Sequence, residues 1–419
     1  MLKIFLRFLP FWLFLAIYKG ALLLHYTLIP VFGQRLIPVW AIGFVVGGEA
    51  LLQLVLDVPA GHLVDRVGQR RMLKLATPIF FISAILLLFK LSLVTYLASV
   101  FFSVFGWLFL GPGVNAYILA HAKKDTSGAF MSLRDSAFSA GVVISGVGLP
   151  FVLMLSQQTT ALVLLATSAV GIFFLSMSPP DSTHVHHEEV VAGQHRHMRR
   201  HWLDETLPAF KKLNPASGML VLHMFSGAMF YSAVWFVVPL IIAMQPHNLI
   251  LGFGLSVFDI SIVLLGFAIG MLVDRGNKRE LVFFGMIIFA LAGALSGIDF
   301  GVLFLIFGFL ASTGDETTIL SLWSWLHSLD KEHAHDGVMS GVISLAEDFG
   351  YVVGPITAGV LYGIVGPTWT IVCGAIPIAL TWIVYRWVVY AKHQDHMHVP
   401  GIRSIVGTSL RRRHARKTT

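Results

Sequence analysis

The chain has 419 residues, of which 56% are hydrophobic and only 12% charged, and its mean hydropathy is +0.79. A soluble domain carries about 25% charged residues. Half that share cannot cover a water-facing surface, so a soluble enzyme, a disordered chain and a DNA-binding module are excluded and the apolar residues must face lipid. The net charge of +7 gathers at the ends of apolar runs, and the single cysteine, Cys373, allows neither an internal disulfide nor a Cys-based metal site.

A spanning helix needs roughly 20 mostly apolar residues. In chain order such runs are Pro10 to Pro30, Pro38 to Ala60, Met72 to Leu91, Leu93 to Ala120, Ser132 to Leu155 and Thr159 to Met177. Six more follow a polar centre: Ser217 to Met244, Leu249 to Val273, Glu280 to Gly297, Gly301 to His327, Gly337 to Ile364 and Pro367 to Val389. The first run follows Lys3 and Arg7, but it is longer than a signal-peptide core and has no small-residue cleavage site, so it reads as a helix. The expected fold is an all-α membrane protein of about twelve transmembrane helices in two pseudo-symmetric six-helix bundles. The parts are an N-terminal bundle at 1–178, a linker at 179–216, a C-terminal bundle at 217–392 and a basic tail at 393–419.

Lys and Arg fix the orientation. Lys3 and Arg7, the cluster Arg66, Arg70, Arg71 and Lys74, the pair Lys123 and Lys124, and Arg275, Lys278 and Arg279 all fall on one side if the spans alternate. Arg411, Arg412, Arg413, Arg416 and Lys417 of the tail join them. Both termini and the central loop are therefore expected in the cytoplasm, with a bacterial inner membrane as the expected location. The tail suits anionic lipid rather than nucleic acid. The central loop holds His184, His186, His187, His195, His197 and His201. The first three are candidate metal ligands, and the plainer reading is a solvated linker that binds no metal.

The halves repeat each other. Gly61-His-Leu-Val-Asp65-Arg66-Val-Gly68-Gln-Arg70-Arg71 stands between spans two and three, and Gly270-Met-Leu-Val-Asp274-Arg275 between spans eight and nine. Ser132-Leu133-Arg134-Asp135 of span five aligns with Ser344-Leu345-Ala346-Glu347-Asp348 of span eleven once one residue is allowed for, and Gly141 and Gly146 align with Gly354 and Gly359. Parallel repeats of this kind mark one class of secondary transporter. On these residues the chain resembles the major facilitator superfamily. Gly61, Asp65, Arg66, Gly68, Arg70 and Arg71 stand in the positions of that family's signature A, with Gln69 as a departure. Gly350, Gly354, Pro355, Ala358 and Gly359 in span eleven look like its signature C, associated with antiporters, although the family usually carries that motif in span five. There this chain has Gly141 and Gly146 without the proline. Signature B needs an Arg in span four, where this chain has Phe109-Leu-Gly111-Pro112-Gly113-Val-Asn115.

The signature A turn also has a physical reading of its own. A carboxylate such as Asp65 at a helix end can accept hydrogen bonds from a helix N-terminus or an arginine of the other half. A latch of Asp57, Gly61, Asp65, Arg66, Gly68, Arg70 and Arg71, repeated at Gly270, Asp274 and Arg275, would then close one side of the protein in one state.

An ionisable group inside a bilayer usually faces water or a partner. Lys19, Glu49, Arg134, Asp135, Asp259, Glu347 and Asp348 fall near mid-depth, with Asp315 and Glu316 nearer the cytoplasm. Together they point to an aqueous central cavity that binds substrate and protons, with Lys19 and Arg134 as counter-charges. Helical spacing puts Asp348 on a polar stripe and Glu347 on the face of Gly350 and Gly354. Asp315 and Glu316 point about 100° apart, so one of them faces the cavity. Gly141, Gly146, Gly350, Gly354, Pro355 and Gly359 suit close helix packing and bending.

The chain carries no phosphate loop and no hydrolase or zincin motif, so neither ATP-driven transport nor an intramembrane enzyme is expected. The expectation is a monomeric secondary transporter without a cofactor, with a small molecule as substrate and protons as coupling ion. Export of an amphiphilic, drug-like solute leads. Uptake of an anionic metabolite held by Lys19 or Arg134, and a metal protein built on the central histidines, stand as alternatives.

Overall fold

The computed structural model describes residues 2–121, 127–180, 214–245, 248–329 and 336–390. The described elements are helical, with no strand among the described residues. In the N-terminal half they are α1 (Leu2–Gly33), α2 (Val39–Val67), α3 (Gln69–Leu86), α4 (Leu93–His121), α5 (Ser127–Leu153) and α6 (Gln157–Met177). In the C-terminal half they are α7 (Pro215–Met244), α8 (Leu249–Arg275), α9 (Lys278–Ser296), α10 (Val302–Leu329), α11 (Asp336–Gly374) and α12 (Ile376–Val384), which ends in a π-helical turn at Tyr385–Tyr390. Residues 181–213 of the expected linker, with its histidines, and the tail 393–419 lie outside the described residues.

Ten described stretches are long and apolar enough to cross a bilayer. The last, Gly341–Val389, holds two crossings. Gly366 breaks it at φ 77, a backbone state that needs glycine, and Pro367 restarts the helix. The remaining crossing is α3, 18 residues long, which begins in the basic run from Gln69 to Lys74 and so falls below the hydropathy of the others. Local signals set the other boundaries. Ser156 accepts from the Thr159 amide at the start of α6, and Asn214 accepts from the Ser217 amide at the start of α7, where Pro215 follows it.

The packing repeats with the sequence. Within the N-terminal half α1 packs on α5 and α6, α3 on α4, and α2 on α4. Within the C-terminal half α7 packs on α11 and α12, α9 on α10, and α8 on α10. Two main seams join the halves, α2 against α11 and α5 against α8, with a smaller contact between α1 and α7. Both seams and both sets of internal pairs exchange under one pseudo-twofold operation.

The apolar cores show where the halves meet. One cluster runs through both, from Leu28, Ile42, Val46 and Leu149 to Val238, Leu251, Leu255 and Ala358. All these residues sit at the end away from the basic α2–α3 and α8–α9 turns. At the basic end the cores separate. Phe11, Tyr18 and Tyr117 belong to a cluster of the N-terminal half alone, and Leu220, Met286 and Trp325 to one of the C-terminal half alone. The outward surface is apolar, as lipid requires, with Phe267, Val94 and Trp387 among its most exposed side chains.

Candidate functional site

Glycines let the seams close at the far end. In the α2–α11 seam, a Cβ on Gly43 would strike the Pro355 carbonyl and come within 3.1 Å of Gly359 Cα, and one on Gly47 would come within 2.7 Å of the Val352 carbonyl. In the α5–α8 seam, Gly146 lies against Ser256, whose Oγ donates to the Val143 carbonyl across the halves at 3.0 Å. Gly141 instead packs on α1, with the Ala16 carbonyl 2.6 Å from its Cβ position, and Gly350 and Gly354 pack on α7 beside Ala228 and Met229. Toward the basic end, Gly61, Gly266, Gly270 and Gly341 have nothing within 4 Å of a Cβ position. With the core shared at the far end and divided at the basic end, the halves are zipped at one end and parted at the other.

Between them lies the charged layer. Lys19 on α1 places Nζ 4.0 Å from the Trp107 ring centroid on α4 and 5.1 Å from that of Phe138 on α5. It is within electrostatic reach of Asp259 on α8 and Glu347 on α11, both from the other half. Asp259 also faces Ser139 of α5. Tyr351 neighbours Glu347, Tyr26, Asp259 and Asp315, which come from α11, α1, α8 and α10, yet it is 36% exposed. Glu316 on α10 looks across to Asp135 on α5, and Asp57 on α2 to Asp348 on α11. Arg134 donates to Asn115 Oδ1 at 2.6 Å and pairs with Asp135 at 2.8 Å, so its partners lie in its own half.

Two residues expected in the cavity are placed elsewhere. Glu49 is 3% exposed and turns into its own half, where Ser103 Oγ on α4 donates to it at 3.0 Å. Asp315 is buried between α7 and α10, with His223 Nε2 at 2.8 Å and the Tyr231 hydroxyl donating at 2.9 Å. Of the pair at 315 and 316, Glu316 is therefore the one turned toward the other half. Glu347, expected on the face of Gly350 and Gly354 and as a cavity residue, lies within electrostatic reach of Lys19. The reason is shared. A helix apolar on most sides has no face fixed by its own sequence, and its rotation follows its neighbours. His223 is the site residue that a count of mid-depth Asp, Glu, Lys and Arg passes over. Its own signal is an imidazole deep in the apolar run Leu220 to Val238.

At the basic turns, Gly68 stands at φ 95, which only glycine adopts freely, and lets α3 start immediately after α2. Arg70 donates to the carbonyls of Ser176 and Ser178 at 2.7 Å, tying α3 to the end of α6 within its half. Arg66, Arg71, Asp274 and Arg275 are exposed. The side chain of Asp65 lies outside the described residues. The second turn does not copy the first backbone: Gly276 has an ordinary φ of −89, and Asn277 caps α9. No group of three or more metal-ligating side chains occurs among the described residues, and the candidates His184, His186 and His187 lie outside them.

The sequence profile of the Major Facilitator Superfamily matches residues 2–255 and 220–417. No curated protein matches the chain. Solved structures do. A crystal structure of the nucleoside transporter NupG aligns with a TM-score of 0.69 at 16% identity, over 92% of this chain and 99% of that one. A bacterial homologue of the human lysosomal transporter Spinster, inward-facing and unoccupied, aligns with 0.66 at 12% identity, over 90% and 96%. A D-xylose–proton symporter aligns with 0.65 at 16% identity, over 89% and 97%. At these identities the likeness is one of fold.

Proposed function

The chain belongs to the major facilitator superfamily and is an integral membrane transporter rather than an enzyme; from that premise we propose that it is a monomeric proton-coupled exporter of amphiphilic, drug-like solutes in a bacterial inner membrane. The observation that carries this reading is the shared core at one end only, with Lys19, Asp259 and Glu347 set between the parted halves. Two bundles zipped at one end expose a mid-membrane site to the other end, and rocking reverses that access. The Lys and Arg bias makes the parted, basic end cytoplasmic. The signature A residues Asp57, Gly61, Asp65, Arg66, Gly68, Arg70 and Arg71, with Gly270, Asp274 and Arg275, are then a cytoplasmic latch, of which Arg66, Arg71, Asp274 and Arg275 stand exposed in this state.

Coupling rests on the same layer. A carboxylate facing a cation from the other half holds its charge when paired and takes a proton when the partner leaves. Asp259 and Glu347 hold that position against Lys19, with Asp348 beside Asp57. Export is supported by the antiporter-like motif at Gly350 to Gly359 and by the aromatic walls at Trp107, Phe138 and Tyr351. Carboxylates outnumber cations around the space, which counts against uptake of an anionic metabolite.

The test is flux of ethidium, an amphiphilic dye, into inside-out proteoliposomes. An imposed gradient, acid inside, should accelerate uptake by the wild-type protein, and Glu347→Gln should abolish the acceleration. Uptake equal with and without the gradient would defeat the coupling.

A further inference from the structure

Lys19 has two sets of partners and uses one. Its ammonium lies over the rings of Trp107 and Phe138, both half-buried and both in its own half. Asp259 and Glu347 attract it from the other half, but it forms no ion pair with either among the described residues. Two aromatic faces at 4.0 Å and 5.1 Å from one cation are the arrangement by which proteins hold organic ammonium ions. A partly desolvated box of this kind is generic. It holds any compact cation whose hydration is weak, and a quaternary ammonium sheds water more easily than a lysine does.

We propose that the Trp107–Phe138 box is the subsite for an organic cation, and that Lys19 is a tethered surrogate which fills it when substrate is absent. This rests on the transporter reading above and names its substrate class. When a cationic amphiphile enters the box, Lys19 swings to Asp259 and Glu347, and charge balance is kept. When protons neutralise those carboxylates, Lys19 loses its second site, returns to the rings and displaces the substrate. Competition for one box thus exchanges protons for a cation without direct contact between them. The other charges that bear on this layer are Asp57, Arg134, Asp135, Asp315, Glu316 and Asp348. Arg134 is held by Asp135 and Asn115, and so does not compete for the rings.

The test is equilibrium binding at fixed pH to the full-length protein in nanodiscs, with no gradient. The probes are phenyltrimethylammonium and its uncharged isostere tert-butylbenzene. Lys19→Gln should tighten phenyltrimethylammonium about tenfold and leave tert-butylbenzene unchanged. Adding Trp107→Leu and Phe138→Leu to that variant should remove the gain. Lys19→Met, which keeps the length of the stem, repeats the measurement if the glutamine variant does not fold. A cation affinity that does not rise in either variant, an equal rise for the neutral isostere, or a gain that survives loss of both rings would each overturn the proposal. A protein that binds the probe as stated but ignores a pH gradient would keep the box and lose only the proton coupling.

Discussion

Among the first, third and fourth helices of the N-terminal half, His25 Nε2 is held by Ser83 and Ser99 at 2.8 and 3.0 Å. Between the first and fourth helices of the C-terminal half, His223 Nε2 is held by Asp315 at 2.8 Å, and Tyr231 completes the carboxylate's shell. The two clusters share the first and fourth helices of their halves, but the first also takes in α3, and they differ in chemistry, hydroxyl groups in one and a carboxyl group in the other. In the first the serine hydroxyls also bond one another, 3.1 Å apart. The second buries a carboxyl group whose partners among the described residues are His223 and Tyr231, and which lies within electrostatic reach of Glu316, Glu347 and Tyr351. The pseudo-symmetric fold therefore fastens one half through serine hydroxyls and the other through a carboxyl group.

The largest effect should come from breaking the carboxyl fastening. Asp315→Ala leaves His223 and Tyr231 buried without their acceptor, and removing one member of a buried pair costs roughly 3–5 kcal/mol. His25→Ala leaves Ser83 and Ser99 bonded to each other and should cost about 1–2 kcal/mol. Unfolding of both variants in detergent, followed by circular dichroism, gives the comparison. Equal losses would mean that the carboxylate adds nothing beyond its hydrogen bonds.

Next in size is the zipped end. Gly43→Val puts a branched side chain against Pro355 and Gly359, and overpacking of this kind costs about 1–3 kcal/mol. Here the cost falls on one conformation, the one in which α2 and α11 touch. Spin labels at the far ends of α2 and α11 should therefore move apart in this variant. An unchanged distance distribution would mean the seam is not what holds this state.

A smaller contrast separates the two buried glutamates. Glu347→Gln should reduce gradient-driven flux about tenfold, equivalent to about 1.4 kcal/mol. Glu49→Gln keeps the acceptor for Ser103 and should leave that flux within about twofold. Comparable losses would return Glu49 to the coupling layer.

How much of this was legible follows from what a linear pattern encodes. The crossings and the repeat are written in run lengths and in the positions of Lys and Arg, and even the short α3 is marked by the turn before it. The glycines at 43 and 47 and their partners at 355 and 359 are visible as small residues, but their seam is visible only in three dimensions. Rotation was the part not written. In α10 and α11 the acids stand in adjacent pairs, 315 with 316 and 347 with 348, and in α10 small and hydroxyl residues flank them on both sides, so spacing alone could not decide that Glu316 rather than Asp315, and Glu347 as well as Asp348, turn toward the other half. His223 escaped a search tuned to acids and bases, although a histidine among valines and leucines carries the same physical cost.

The smallest predicted effect probes the parted end. Gly61 has open space where a Cβ would stand, and in a helix interior alanine is favoured over glycine by up to about 1 kcal/mol. Gly61→Ala should therefore raise stability slightly, where Gly43→Val lowers it. If the latch closes α2 against the other half during transport, the added methyl group meets backbone only in that second state. Turnover in the ethidium assay should then fall a few-fold while the apparent affinity holds, because the substrate site is untouched. A variant that is stabilised and turns over at the wild-type rate would show that Gly61 stays open throughout the cycle, leaving the α2–α3 turn with the structural task Arg70 already performs, holding α3 to α6.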